Sequence, residues 1–260
     1  MKSSLYIAIL GTRGIPNHYG GFEAFAEELS VRLVNRGHRV KVFCPSDQDY
    51  KDTFYKGVEL DFQTDPVQTL GTAGQFIYDL NCNLRSRQDQ PDIVLHLGYT
   101  SDSVWYWMWS GKSVHITNMD GMEWQREKYS APVRRFLRLA ESLAAHKSHT
   151  LVADSRAVED YLRLHYKTPV RYISYGAIIP GGFDPEHPAN LGVFPGKYDC
   201  LVARAEPENN LDTAIRAKLS DKTGIPLIIF SNNNSYHNEL KSRYSSERLI
   251  RFEEPLYDRK

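Results

Sequence analysis

The sequence has few cysteines, and they lie far apart. Cys44, Cys82 and Cys200 are the only three in 260 residues. An odd number at such separations supports neither a disulfide framework nor the close cysteine pairs of a structural zinc site. This usage is typical of a protein in a reducing compartment, and we expect a cytoplasmic location.

Long apolar runs and an excess of charge are also missing. No run approaches the roughly 20 apolar residues that a membrane-spanning helix needs, and no signal-peptide pattern opens the chain. Lysines plus arginines equal aspartates plus glutamates at 32 each, so the overall charge gives no reason to expect nucleic acid as a partner. Peripheral attachment to the inner face of a membrane is still open.

The clearest pattern lies in the first 44 residues. Residues 5–10 (LYIAIL) form a short apolar run, residues 11–21 contain four glycines, and residues 22–35 show helical periodicity. A second apolar run follows at residues 39–44. This order predicts a strand, a glycine-rich loop, a helix and a parallel strand, which make one βαβ unit. Glu27 falls outside the apolar stripe of the helix, and we expect it to be solvated.

The glycine-rich loop is a candidate anion site. Gly20 and Gly21 come just before the helix, where unpaired N–H groups and the helix dipole favour a negative group. Arg13 adds a guanidinium that could bind phosphate. The alternative is that the glycines only turn the chain. Their spacing is not that of a dinucleotide-binding loop, and Asp47 lies too far beyond the second strand, so an NAD site is not expected.

Several segments resemble bacterial GT-B glycosyltransferases. The segments that open the chain are residues 9–16 (ILGTRGIP), 19–23 (YGGFE) and 33–38 (LVNRGH). They are most similar to the family-4 branch that includes rhamnosyltransferase-like proteins of capsule and exopolysaccharide clusters. Later landmarks of that branch are matched by residues 120–124 (DGMEW), 153–155 (ADS), 175–177 (YGA) and 198–210. The resemblance implies an α/β fold, with a Rossmann-like parallel-sheet domain followed by a second, incomplete Rossmann-like domain.

The resemblance also implies roles for individual residues. Donor or phosphate binding is implied for Thr12, Arg13, Gly20, Gly21 and Arg204, and acceptor-side contacts for His18, Tyr19 and Glu123. Asp120 stands about where family-4 enzymes often place a histidine that contacts the donor sugar, and it is the candidate catalytic residue. Asn209 replaces a lysine that often follows the arginine, so one positive charge is missing.

The position of Asp120 can also be argued from the sequence pattern. Apolar runs at residues 92–97 and 113–117 predict two further parallel strands. Ligands of open α/β sheets bind outside the carboxyl ends of the strands, so Asp120 should face the same crevice as Gly20. The alternative is that Asp120 caps a helix and Glu123 completes a capping box.

Three other motifs have alternative interpretations. Residues 104–109 (VWYWMW) predict either a buried helical segment or an exposed lip that contacts lipid or a sugar acceptor. Residues 132–147 predict an amphipathic helix whose Arg134, Arg135 and Arg138 form a solvated face or contact a membrane. Residues 47–49 (DQD) spell a motif that binds metal in another glycosyltransferase fold, but a polar loop is expected here, and we predict no metal site.

Eight prolines and glycines between residues 180 and 196 indicate a linker. We therefore divide the chain into residues 1–178, the acceptor-side domain, and residues 179–260, the linker with the first part of a nucleotide-sugar-binding domain. The second part is short for such a domain, so we expect the chain as given to be truncated and inactive. The resemblance places the family's paired glutamates beyond residue 260.

The resemblance implies a transferase that moves a sugar from a nucleotide diphosphate sugar to a glycan or lipid-linked acceptor. It further implies retention of configuration and no need for a metal or cofactor. The expected partners are the donor, the acceptor and a second copy of the truncated chain. A non-catalytic carbohydrate-binding or assembly protein is the main alternative, and a nucleotide-dependent oxidoreductase is a weaker one.

Overall fold

A computed structural model describes residues 4–18, 20–126, 128–177 and 191–254. The chain divides into two units, Met1–Gly176 and Ala177–Lys260. In both units strands and helices alternate along the chain, which is the pattern of an α/β protein.

The first unit is built on an eight-stranded sheet. Its strands are β1 (Tyr6–Leu10), β2 (Arg39–Pro45), β3 (Phe54–Tyr55), β4 (Val58–Gln63), β5 (Ile93–Leu97), β6 (Val114–Asn118), β7 (Thr150–Ala153) and β8 (Val170–Tyr172). Their order across the sheet is β3-β4-β2-β1-β5-β6-β7-β8, and β3 alone among these strands runs antiparallel to its neighbour. The order reverses between β1 and β5, where ligands of such sheets usually bind at the carboxyl ends.

The helices of this unit connect the strands. They are α1 (Gly21–Asn35), α2 (Val67–Leu70), α3 (Thr72–Asp89), α4 (Ala131–Lys147) and α5 (Arg156–His165), with 3-10 helices at Ser103–Met108 and Glu123–Gln125. The aromatic run thus forms a 3-10 helix. In the part of the chain that the structure describes, none of the helices has the length and apolar character that a membrane span requires.

The predicted βαβ unit is confirmed. β1 pairs in parallel with β2, with Ile7 opposite Val40, and α1 makes the crossover between them. Ile7 and Val40 belong to one buried cluster with Ala26 of α1. Burial of each large aliphatic side chain stabilises the fold by about 1.5–3 kcal/mol, so the apolar pattern accounts for this part of the core.

The expectation for Glu27 was wrong, because its side chain is buried. Its carboxylate accepts hydrogen bonds from the backbone N–H of Asn17 at 2.6 Å and from the Tyr55 hydroxyl at 3.1 Å. A buried carboxylate is tolerated when its oxygens are hydrogen-bonded. Glu27 therefore ties the glycine-rich loop to the strand hairpin at the edge of the sheet.

The three arginines of α4 have different surroundings. Arg135 and Arg138 are exposed, and the Arg138 guanidinium lies over the Trp124 ring at 4.0 Å. The Nε atom of Arg134 is buried and has no hydrogen-bond partner among the described residues. The three side chains thus do not form a uniform solvated face, and their contact with a membrane stays a prediction.

The second unit contains a smaller sheet. Its parallel strands are β9 (Asp199–Val202), β10 (Leu227–Phe230) and β11 (Ile250–Glu253), in the order β11-β10-β9. Its helices are α6 (Leu211–Ser220), α7 (Ser235–Arg243) and a 3-10 turn at Pro207–Asn209. The predicted α/β fold, a parallel-sheet domain followed by a second, smaller one, is confirmed: the first sheet is mostly parallel and the second is parallel. Most of the predicted linker lies outside the described residues.

Candidate functional site

The loop between β1 and α1 contains positions that require glycine, and Gly11 and Gly20 are two of them. Gly11 has φ 81°, and a side chain there would collide with the carbonyl oxygen of Leu97 in β5. Gly20 has φ 124°, and a side chain there would collide with the Glu23 carboxylate. Both φ values lie in the region that other residues rarely adopt. These glycines therefore have a structural reason independent of any ligand.

Gly21 lies in a different environment. It is the first residue of α1, and an added Cβ would meet no atom within 4 Å. The first N–H groups of a helix have no partner within the helix, and the dipole makes that end positive. Gly21 thus lies at the start of a helix next to open space, which suits an anion. Binding of an anion there stays a prediction.

Thr12 and Arg13 are both engaged with carboxylates. Glu23 accepts hydrogen bonds from the Arg13 backbone N–H at 2.7 Å and from the Thr12 hydroxyl at 3.4 Å. The Arg13 guanidinium forms an ion pair with Asp65. A phosphate would have to compete with Asp65 for Arg13.

The structure gives no binding geometry for His18, Tyr19 or Asp47. His18 is exposed, and Tyr19 lies outside the described residues. Asp47 accepts a hydrogen bond from the Gln68 side chain at 2.8 Å. Across the described part of the chain, no three or more histidines, cysteines, aspartates or glutamates are grouped so that they could hold a metal ion.

Asp120 lies in the loop after β6, with a left-handed φ of 51°. Its backbone N–H donates to the Asn118 side-chain oxygen at 3.1 Å. The buried Tyr99 holds this loop through two hydrogen bonds. Its hydroxyl donates to the Gly121 carbonyl at 3.4 Å and accepts from the Glu123 N–H at 3.2 Å. The Asp120 carboxyl is thereby held half-buried at the carboxyl end of β6.

Asp120 does not cap a helix, which was the alternative interpretation. The 3-10 helix Glu123–Gln125 has Met122 at its N-cap position and no side-chain cap. The Glu123 carboxylate instead binds Arg126, with both oxygens 3.2 Å from Nη1. The capping box is therefore absent, and the left-handed φ of Asp120 has no capping explanation.

Tyr175 connects the Asp120 loop with α1. Its ring packs edge-on against Phe25 of α1 at 5.6 Å, and its hydroxyl accepts a hydrogen bond from Asn118 at 3.4 Å. Burial and then the Asp120 carboxylate raise the pKa of Tyr175 to about 12, with a further contribution from Glu23. The first turn of α1 and the loop after β6 therefore approach each other around this side chain.

The surroundings of Asp120 favour its neutral form more than water does. Burial, followed by the nearby Glu123 and Asp154 carboxylates, raises the pKa of Asp120. The Gly121 N–H and Arg126 act in the opposite direction. A carboxyl with a raised pKa at the ligand-binding edge of a sheet is a candidate for chemistry.

Arg204 lies in the second unit, just after β9, and is exposed. Its loop is fixed by amides: Asn232 accepts from the Ala205 N–H at 2.8 Å, and Asn234 donates to the Ala205 carbonyl at 2.7 Å. Asn209 donates to the Arg204 carbonyl at 2.8 Å. The residue that replaces the expected lysine thus contributes to the shape of the loop.

Comparison with known proteins identifies the family of the first unit. Residues 4–178 match the family described as "Domain of unknown function (DUF1972)". The chain belongs to this family. No curated protein matches the chain in sequence.

Solved structures show the fold of this DUF1972 member. Sucrose-phosphate synthase from Thermosynechococcus elongatus matches with a TM-score of 0.78 at 12% identity, over 97% of this chain and 71% of that chain. Anabaena HepE in complex with UDP-glucose matches with a TM-score of 0.69 at 16% identity, over 97% and 69%. UDP-N-acetylglucosamine 2-epimerase from Rickettsia bellii matches with a TM-score of 0.58 at 14% identity, over 97% and 70%. The fold is GT-B-like, as the sequence resemblance implied.

Sequence reasoning did not find three residues of this site. Tyr99 contacts Glu123 and Asp65 contacts Arg13, both predicted residues, while Tyr175 contacts Asn118, two positions before Asp120. Each of the three is more than 20 positions away from the residue it contacts. Only Tyr175 lay within a recognised segment, and nothing in that segment indicated its partners. Their contribution depends on the order of strands across the sheet, which a single sequence does not reveal.

Proposed function

We propose that this protein is a glycosyltransferase of the family-4, rhamnosyltransferase-like kind, active in capsule or exopolysaccharide synthesis. It moves a sugar from a nucleoside diphosphate sugar to a glycan or lipid-linked acceptor. The observation that carries the proposal is the open α1 N-terminus at Gly21 beside the Asp120 loop, within a GT-B-like fold. HepE, with the same fold, has been crystallised with UDP-glucose, which supports a donor of this class.

In this proposal each residue has a role within its own unit. In the first unit the N–H groups at Gly20 and Gly21 bind phosphate, while Thr12 and Arg13 shape the loop and can add a charge. In the second unit Arg204 is the candidate phosphate-binding residue. Asp120 accepts a hydrogen bond from a donor-sugar hydroxyl and orients the anomeric carbon. His18, Tyr19 and Glu123 lie on the acceptor side.

The proposed reaction is a substitution at the anomeric carbon. The bond from that carbon to the diphosphate oxygen breaks, a bond to an acceptor hydroxyl oxygen forms, and the hydroxyl proton is released. The leaving diphosphate gains negative charge, which N–H groups and a guanidinium can stabilise without a metal. We propose retention of configuration and assign no covalent nucleophile.

A thermal-shift titration tests donor binding directly. UDP-glucose and other nucleoside diphosphate sugars should raise the melting temperature with increasing concentration, because a ligand that binds the native state stabilises it. Glucose alone should give a much smaller shift, since it lacks the diphosphate. Absence of a shift with every nucleoside diphosphate sugar would reject the proposal, and a shift with NADH alone would favour an oxidoreductase.

The epimerase match supports a second candidate, a nucleotide-sugar epimerase. Product analysis separates the two activities, because an epimerase changes the sugar while it stays on the nucleotide, whereas a transferase releases the nucleoside diphosphate. Binding of glycans without either product would instead favour the non-catalytic carbohydrate-binding alternative.

Gly21→Val should weaken binding of the nucleotide sugar by at least about tenfold while the protein keeps its fold. The valine side chain has room in the protein but occupies the space in front of the α1 N-terminus. Gly111→Val is the matched control, since an added Cβ there also meets no atom within 4 Å and Gly111 lies away from this loop. Isothermal titration of both variants is the measurement. Equal affinity in the two would remove the anion role of this helix end.

A further inference from the structure

The outer side of α3 carries exposed apolar residues. Ile77 and Leu84 are 38% and 39% exposed, and they lie seven residues apart, on one side of the helix. The half-buried Leu80 lies between them. Arg87, one turn beyond Leu84, donates to the Trp107 carbonyl at 3.2 Å, which places this stripe next to the 3-10 helix Ser103–Met108.

The 3-10 helix is anchored but leaves one indole in solvent. The Trp105 indole N–H donates to the Phe76 carbonyl of α3 at 2.9 Å, and its ring packs edge-on against Trp107 at 5.4 Å. Trp107 itself is 52% exposed. The exposed Trp107 ring thus lies beside an anchored neighbour, and an indole suits a boundary between water and a less polar phase.

α4 extends the same surface on the other side of the 3-10 helix. Its Phe136 packs against Phe76 of α3 at 5.7 Å, and its Lys147 lies over the Tyr106 ring at 4.7 Å. Leu139, one turn after Phe136, is 55% exposed. We call the set Ile77, Leu84, Trp107 and Leu139 the apolar patch.

The charges around the apolar patch are positive. Exposed cations are supplied by Arg87 of α3 and by Arg135 and Lys147 of α4. The acidic residues on the same elements do not offset them: Asp79, Asp102 and Glu141 are buried, and Asp89 is ion-paired with Lys41 and Arg85. Residues 103–119 contain no acidic residue at all.

We propose that the apolar patch docks on an anionic lipid bilayer. Trp107, Leu84, Ile77 and Leu139 insert at the depth of the headgroups, and Arg87, Arg135 and Lys147 pair with lipid phosphates. An apolar centre with a rim of one charge matches an anionic surface better than a protein of mixed charge. The proposal does not depend on the proposed reaction, although it would bring the protein to a lipid-linked acceptor.

Co-sedimentation with vesicles tests the proposal. The protein should bind vesicles of phosphatidylcholine with about 30% phosphatidylglycerol, and added salt should weaken binding because it screens the cations. Pure phosphatidylcholine vesicles should bind markedly less. The double variant Leu84→Ser, Trp107→Ser should bind the anionic vesicles at least about tenfold more weakly.

The control is a change of the same kind on the edge strand β3, which carries no patch residue. Phe54 in β3 is 60% exposed, so Phe54→Ser also removes an exposed apolar side chain. Circular dichroism melting of each variant confirms that it is folded. Equal vesicle binding by the patch and control variants would overturn the proposal, as would failure of the wild type to bind. Concentration-dependent self-association that the patch variant loses, without vesicle binding, would show that a second copy covers the patch instead.

Discussion

Asp79→Asn should make the protein more stable than the wild type at pH 8, by an amount that shrinks toward pH 5. Asp79 is buried in α3 beside Ser101 and the buried Asp102. Burial and then the Asp102 charge raise the pKa of Asp79 to about 8. In the unfolded chain an aspartate has a pKa of about 3.9. Between these values the native state keeps a proton that the unfolded state has lost.

The sign of the effect follows from this difference in bound protons. The unfolded state binds fewer protons, so the Asp79 contribution lowers stability as pH rises from about 4 to 8, by up to about 1.4 kcal/mol per pH unit. Asparagine cannot ionise, so the variant lacks this loss. Urea unfolding of both proteins at pH 5, 6, 7 and 8 measures the gap. Asp160→Asn is the control, because it removes a carboxylate at an exposed position of α5. Its stability difference from the wild type should change little between pH 5 and 8.

A gap between Asp79→Asn and the wild type that stays constant with pH would show that Asp79 is ionised in the native state. The difference between the two proteins is the useful quantity, because the titration of every other group largely cancels in it. Asparagine keeps an oxygen that Ser101 can bind, so the change removes the charge with little loss of packing.

The parts of the fold that were predictable are those fixed by local pattern. The apolar runs and the helical periodicity of residues 5–44 specify β1, α1 and β2. Apolar side chains recur there at the spacing that buries a strand or one face of a helix. The same local logic placed Gly20 and Gly21 at the start of a helix. The 3-10 form of Ser103–Met108 was not predictable, since aromatic residues at that density suit either helix type.

The polar interior could not be predicted from the local pattern. Glu27 is buried because Asn17 and Tyr55 bind its carboxylate, and Tyr55 comes from a strand 28 residues away. Asp79 is buried next to Asp102, which belongs to a loop after another strand. A polar side chain is usually buried only where it has hydrogen-bond partners, and the order of strands across the sheet decides which residues lie close enough to be those partners. The environment of Asp120, with Tyr99 and Tyr175, depends on strand order in the same way.

In the full-length protein, Asp120→Asn should lower kcat for sugar transfer by about a hundredfold and change the donor KM much less. The interaction proposed for Asp120 tightens in the transition state, so its loss appears mainly in kcat. Asparagine tolerates the left-handed φ of this position, and no helix cap depends on the carboxylate. The melting temperature should therefore stay within about 2 °C of the wild type.

The pH dependence of the same reaction gives a second, independent readout. Asp120 accepts a hydrogen bond best when ionised, so kcat/KM should rise with pH through its raised pKa. Asp154→Asn removes one of the neighbouring charges that raise the pKa of Asp120, so the rise should move to lower pH. Asp120→Asn should lose the rise altogether. If that variant keeps the wild-type kcat and the same pH profile, Asp120 has no part in the reaction, and its left-handed loop serves only the fold.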